Sequence, residues 1–419
     1  MIYSFYYCIS KDSPLNLPLF ISRRIAKNES GSFSSTIHRI AVISISVSLM
    51  ALIVAFMVLY GFQGAIRDKV FSLSGHLTVN KYALSNSFEE TSILASDSLM
   101  EGLIAHESIR HAQRFALKAG LLKTEEEVQG IILKGVGSDF DTSKFSTQMI
   151  EGEFPDFSGE KYSTDVTISE KIATLLRLNV EDKVTIFFAQ QPPRYRRLTI
   201  TGIYSTGMEE FDERFIYGDI AMIRKINDWS DEQAGGIEVF LKDENQIEAM
   251  EDELFNTLDI DLNVISSYRQ YPQIFEWLKL LNRNVMVLLV LIIFVAAFGM
   301  ISMVLILIME RTRMVGMMKA LGSSDQMIRK VFLYSGLQLV VKGLVIGNAL
   351  GLLLCWLQYE FQFVPLDAAN YYMHFVPVIF DWPTLFGLNV MIVLMVGLTL
   401  FIPIRVVSTI EPIKAIRFD

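Results

Sequence analysis

Residues 285–322 read VMVLLVLIIFVAAFGMISMVLILIM and then ERTRMVGMMKALG, from Val285 to Gly322. The first 25 of these carry no charge, and a helix needs only about 20 apolar residues to cross the ~30 Å hydrocarbon core of a bilayer. The run is therefore a membrane span (284–309), followed at once by a basic segment. Working outward, three more stretches qualify: 40–60, which is uncharged throughout, 331–357 and 385–402. The first lies too far from the N-terminus, and is too long, to be a cleaved signal peptide.

Lys and Arg in the short loops set the expected orientation. The N-terminal segment 1–39 carries five, the loop 310–330 five more (Arg311, Arg313, Lys319, Arg329 and Lys330), and the tail 403–419 has Arg405, Lys414 and Arg417. The loop 358–384 has none, only Glu360, Asp367 and Asp381. Both termini and 310–330 are thus expected in the cytoplasm, and the long insert 61–283 and the loop 358–384 outside.

The insert holds 23 Lys/Arg against 37 Asp/Glu, a net charge of −14, whereas the rest of the 419-residue chain is net +5. An acidic insert between basic, apolar segments excludes a plain cytosolic enzyme, and no broad basic face is available for nucleic acid. Its size permits a core of its own. His76–Val79, Val184–Phe187 and Leu198–Thr201 alternate as strands. Ile237–Leu241, Glu244–Leu258 and Leu262–Ile265 read as a strand, an amphipathic helix and a strand, a βαβ unit. Gly61–Ser72 and Tyr271–Arg283 are helix-compatible, so spans one and two are expected to project into the outer domain as rods.

Chemistry-bearing motifs are absent. Cys8 and Cys355 are the only cysteines, and neither lies in the insert, so no disulfide framework exists. The sequence contains no phosphate-binding loop, no H-E-x-x-H, no C-x-x-C pair and no G-x-S-x-G. No catalytic residue, metal ligand or cofactor site is expected. Lys342, the one ionisable residue in a span, reads as snorkelling to the cytoplasmic interface. Gly343, Gly347 and Gly351 place two overlapping G-x-x-x-G steps on one helix face, a seam within the bundle or between copies.

In 310–330, Met314, Met317, Met318 and Leu321 fall at helical spacing, Gly322 suits a helix C-terminus, and Ser323 or Ser324 suits the next N-cap. Such a helix either lies on the membrane surface or docks its methionines on a cytoplasmic partner.

The segment Glu310-Arg311…Val315-Gly316…Lys319-Ala320-Leu321-Gly322 resembles the cytoplasmic signature of the FtsX/MacB-type permeases of ABC transporters, with Met314 where an acidic residue is commonest. Two further blocks share the resemblance. One is Phe20–Arg24 with Gly61-Phe62-Gln63, and the other is Pro403-Ile404-Arg405 with Pro412–Arg417. Gly202–Met208 followed by Phe211-Asp212 is similar to a stretch of the lipoprotein-releasing (LolC/LolE type) permeases.

The resemblance implies an α-helical inner-membrane protein with four transmembrane helices. A large mixed α/β, MacB-like periplasmic core domain is expected between helices one and two. It implies a non-catalytic subunit whose ATP is bound by a separate cytoplasmic ATPase, docked on Glu310, Arg311, Met314, Gly316, Met317, Lys319, Leu321 and Gly322. It further implies a second permease subunit, identical or paralogous. Lipoproteins would leave the outer leaflet for a periplasmic carrier docked on the segment 189–197, at Pro192, Pro193, Arg194, Tyr195 and Arg196. From the residues alone that segment also reads as an ordinary hairpin turn. Two other readings stand beside release: an FtsX-like scaffold that regulates a cell-wall hydrolase, and a MacB-like exporter of small molecules or peptides.

Overall fold

The computed structural model describes residues 17–27, 33–82, 91–124, 127–159, 162–367 and 371–406. Most of the aromatic lead-in, with Cys8, and the block Pro412–Arg417 lie outside the described residues.

The chain begins with α1 (Leu17–Lys27), α2 (Phe33–Ser74), β1 (Leu77–Lys81) and β2 (Ile93–Leu94). Then come α3 (Asp97–Ile104), β3 (Ile109–Lys123), β4 (Val128–Val136), α4 (Thr142–Phe145), β5 (Met149–Gly152) and β6 (Asp165–Ser169). Next are α5 (Glu170–Leu176), β7 (Lys183–Phe188), β8 (Arg194–Tyr204), α6 (Glu209–Asp212), β9 (Phe215–Asp219) and α7 (Ile220–Asn227). The insert finishes with β10 (Gln233–Ala234), β11 (Gly236–Leu241), α8 (Ile247–Thr257), β12 (Leu262–Ser266) and α9 (Ser267–Gln270). Last come α10 (Pro272–Glu310), α11 (Thr312–Ala320), α12 (Asp325–Phe361) and α13 (Trp382–Val406).

Two units are distinct: Met1–Gly61 with Leu280–Phe363 and Pro377–Asp419, and Phe62–Lys279 with Val364–Val376. In the first, α2, α10, α12 and α13 are each long and apolar enough to cross a membrane. Leu49 and Ile53 of α2 pack with Met303 and Leu307 of α10, Leu339 of α12 and Ile392 of α13. Large apolar side chains such as Val287, Leu291 and Phe294 remain exposed on α10, as expected where hydrocarbon rather than water is the solvent.

The three glycines of α12 form a seam with α2. An added Cβ would lie 2.6 Å from Ile45 at Gly343, 2.9 Å from the Ser46 carbonyl at Gly347, and 3.1 Å from Ile53 at Gly351. Close approach also lets Ser46 Oγ donate across the seam to the Gly343 carbonyl at 3.1 Å. On the other side of α12, Asn348 meets Asn389 of α13.

In the second unit, ten strands form one sheet in the order β12-β1-β11-β3-β4-β9-β6-β8-β5, with β7 joining β3 to β8. The long β3 makes this possible. Its first half pairs with β11, and Leu121–Lys123 near its end pair with β7 on one side and β4 on the other. The ladder β3-β4-β9-β6-β8-β7 therefore returns to its start. Leu122, Leu133, Ile168, Ile186, Leu198, Ile200 and Ile216 are buried among these six strands.

The expected βαβ unit exists in split form. β11 and β12 are both antiparallel to β1, which lies between them, and α8 begins at Ile247, after a single 3₁₀ turn at Glu244–Gln246.

The last turns of α2, from Phe62 on, belong to this unit. Gln63 donates to the Leu278 carbonyl (3.2 Å), Arg67 pairs with Glu244 (3.0 Å), and Lys69 donates to the carbonyls of Thr206 (2.7 Å) and Tyr372. Lys134 of β4 closes the helix by donating to the Leu73 carbonyl at 2.6 Å. A cation there also meets the negative end of the helix dipole.

Candidate coupling and docking sites

α10 stops at Glu310 and the chain turns at Arg311 into α11, where the Thr312 hydroxyl donates to the carbonyls of Ile308 and Met309. α11 ends at Ala320, and the turn that closes it passes through Gly322, whose φ of +86° is one that residues with a Cβ rarely adopt; the Ser323 amide reaches back to the Met318 carbonyl at 2.9 Å. Ser324 then caps α12 by accepting from the Met327 amide, and Lys319 pairs with Asp325 at 3.1 Å.

At ~100° per residue, the buried face of α11 centres on Val315 and Gly316. Met318, nearer that face, and Met314, about 150° from its centre, are both partly buried and pack on the membrane core. Met317 (55% exposed) and Leu321 (87%) lie beyond it, in line with exposed Arg313 and Ala320. The four side chains read from the spacing fall within about 100° of one another around the helix, but only Met317 and Leu321 are exposed, while Met314 and Met318 are used within the permease. Of the residues implied for coupling, Met314, Gly316 and Lys319 hold α11 in place, whereas Met317, Leu321 and Gly322 are presented outward with Glu310.

The segment 189–197 also divides. Strand β8 begins at Arg194, so the connection is only Ala189–Pro193, with Pro192 and Pro193 exposed at its tip. The Arg194 guanidinium donates to the carbonyls of Lys225 and Ile226 and pairs with Asp228 at 2.8 Å. It caps the C-terminus of α7 and is not a free docking cation; its partnership also holds the Asp228 carboxyl below its usual range.

Tyr195 and Arg197 face outward from β8. They continue two in-register rows across three strands: Leu121–Phe187–Tyr195 and Lys123–Thr185–Arg197. Leu121, Phe187 and Tyr195 are 47, 41 and 67% exposed, and the rings of the last two lie 6.2 Å apart. Leu121, Phe187 and Lys123 were not singled out in the sequence, because only the pairing brings them beside Tyr195.

The stretch Gly202–Asp212 forms a third cluster. Buried Asp212 accepts from the Thr206 amide, the Thr206 hydroxyl (2.8 Å) and the Gly207 amide (3.0 Å). Burial raises the Asp212 pKa, against these hydrogen bonds and the nearby charge of Lys69. Gly207 has φ +68°, and a Cβ there would stand 2.9 Å from Lys69 Nζ. The motif thus shapes a tight loop over Lys69, which is also tied to Tyr372 in the connection between α12 and α13.

Four helices able to span a membrane, a short helix after the second and a sheet domain inserted after the first match the arrangement of a permease subunit. Residues 40–256 match the MacB-like periplasmic core domain family, and residues 286–412 match the FtsX-like permease C-terminal family. The chain belongs to the FtsX/MacB-type ABC permeases, multi-pass proteins of the inner membrane with a periplasmic domain.

Among its relatives is the lipoprotein-releasing system transmembrane protein LolC of Neisseria meningitidis, 25% identical, with 79% of this chain and 80% of the relative covered. LolC of Xylella fastidiosa (strain Temecula1) is 22% identical over 97% of this chain and its own full length. LolE of Haemophilus influenzae is 22% identical over 81% of this chain and 82% of its own. The periplasmic region of MacB from Actinobacillus actinomycetemcomitans superposes with a TM-score of 0.32 at 16% identity, covering 48% of this chain and 92% of that one.

Proposed function

We propose that the chain is the permease subunit of an ABC transporter that extracts lipoproteins from the outer leaflet of the inner membrane and passes them to a periplasmic carrier. The observation that carries this reading is the end-to-end match to lipoprotein-releasing relatives, span order and outer domain included. Met317 and Leu321 are the apolar contacts offered to a separate cytoplasmic ATPase. A second permease subunit, identical or paralogous, completes the path, since four spans form half of it. The row Leu121–Phe187–Tyr195, with Lys123 and Arg197 beside it, is the carrier-docking face. Its cations suit a partner rimmed with carboxylates, although screening over ~8–10 Å confines that attraction to short range.

Depletion of the protein in cells tests the reading. Lipoproteins bound for the outer membrane should accumulate in the inner membrane; unchanged sorting together with a loss of cell-wall hydrolase activity would replace release by the scaffold reading. Orientation is tested in the same cells. A cysteine at Leu94 should label from outside with an impermeant reagent, and one at Met317 should not.

A further inference from the structure

One face of the outer sheet is polar at its centre. Thr78 pairs in register with Ile265 and Glu238, Leu117 with Lys134, and Lys134 with Tyr217, so their side chains share that face. Lys134 donates to Glu238 at 2.6 Å, with the two side chains 5 and 4% exposed, and Gln113 donates to the other carboxylate oxygen at 2.8 Å. Replacing a buried pair of this kind by apolar residues is often neutral or stabilising, so stability alone does not account for it.

The pair floors a cavity of about 610 Å³, within the range of ligand sites. Lys81, Arg214 and Arg269 join Lys134 in its lining, against Glu210 and Glu238. Four cations thus line it against two carboxylates, in an insert whose net charge is −14. Lys134 is taken by Glu238, while Lys81 lies 3.7 Å from Asp261 and exposed Arg269 3.3 Å from Glu251, so both can share their charge with a ligand. Arg214 is exposed and has no ion-pair partner among the described residues. Asn80, Asn263 and Gln270 add amide groups, and Phe115, Phe211 and Phe215 add rings.

We propose that this cavity binds an extended polypeptide segment that carries carboxylates beside apolar or aromatic side chains. The cations take the carboxylates, the amide side chains take main-chain groups, and the rings take the apolar side chains. An acyl chain is the wrong occupant, because it would bury the ionic floor without offering it a hydrogen bond. Leu73 in the last turn of α2 and Pro272, the first residue of α10, both line the cavity. A bound segment therefore touches the ends of both long helices. Only its identity as the transported cargo rests on the release function proposed above.

The test uses the full-length chain in detergent and two fluorescein-labelled hexapeptides, one alternating aspartate with phenylalanine and one alternating lysine with phenylalanine. Fluorescence anisotropy should show the acidic peptide binding at least tenfold more tightly than the basic one. Arg214→Ala with Arg269→Ala, both exposed positions, should weaken the acidic peptide at least tenfold. A photo-crosslinking residue at Asn263 should capture the acidic peptide, and one at Tyr195 should not. Equal binding of the two peptides, unchanged binding by the double variant, or capture from Tyr195 alone would overturn the proposal. Normal lipoprotein sorting on depletion, with peptide binding intact, would remove the cargo assignment and leave the site.

Discussion

Asn348 of α12 and Asn389 of α13 exchange side-chain hydrogen bonds, at 2.7 Å in one direction and 3.0 Å in the other. Each amide spends its remaining proton within its own helix, on the carbonyls of Leu344 and Leu385 respectively. Hydrocarbon offers no substitute partner. Asn348→Leu should therefore lower stability by about 0.5–2 kcal/mol, read as a reduced Tm in detergent. The double variant with Asn389→Leu should recover much of the loss, since no amide is then left unpaired. An unchanged Tm in the single variant would show that the pair contributes nothing.

The α2–α12 seam makes a steric prediction. A Cβ at Gly347 meets backbone, the Ser46 carbonyl, which cannot swing aside. Gly347→Ala should cost about 1–3 kcal/mol. Gly387→Ala, where nothing lies within 4 Å, is the control and should leave the Tm almost unchanged. Equal Tm values for the two variants would refute the seam as described.

At α11, position decides the outcome. Met317→Asp and Leu321→Asp alter exposed side chains, so the chain should still insert while the ATPase no longer co-purifies, a charge buried in a contact costing several kcal/mol. Val315→Asp buries its charge within the permease and should instead reduce the amount of folded chain. Retention of the ATPase by both exposed-site variants would place the docking surface elsewhere.

On the outer sheet, Phe187→Ala with Tyr195→Ala should weaken carrier binding at least tenfold, measured by titration, with the Tm changed little. Arg194→Ala should behave in the opposite way: it uncaps α7 and lowers the Tm, and carrier binding by the folded fraction persists. If Arg194→Ala abolishes binding and the aromatic pair does not, the docking face has been misassigned.

The membrane spans were legible because a bilayer demands long uncharged runs, a signal carried by each segment alone. The helical continuations past Gly61 and before Arg283 are charged, and were legible because no proline breaks either stretch after Pro272. What could not be read was pairing between distant strands. The partnership of β3 with both β4 and β7 brings Leu121 beside Phe187, and the Lys134–Glu238 contact joins residues 104 positions apart. That arginines after two prolines can alternate along a strand and pair with local carboxylates is legible from the sequence; that Arg194 takes Asp228 and the end of α7 is not, because the partner lies 34 residues away. Spacing places Met314, Met317, Met318 and Leu321 on one side of α11, but which of them the membrane unit covers depends on packing against distant helices.

Arg67 and Lys69 lie about 200° apart around the axis of α2, and each is bound to a different part of the outer domain. Gln63 and the Leu73 carbonyl are held as well, a turn or more to either side. A helix gripped on opposite flanks behaves as a keyed shaft: it cannot spin in its socket without shearing charged contacts on both sides. Rotation of the segment Phe62–Ser74 about its axis would therefore strain contacts on both flanks at once, and the sheet that holds them resists it.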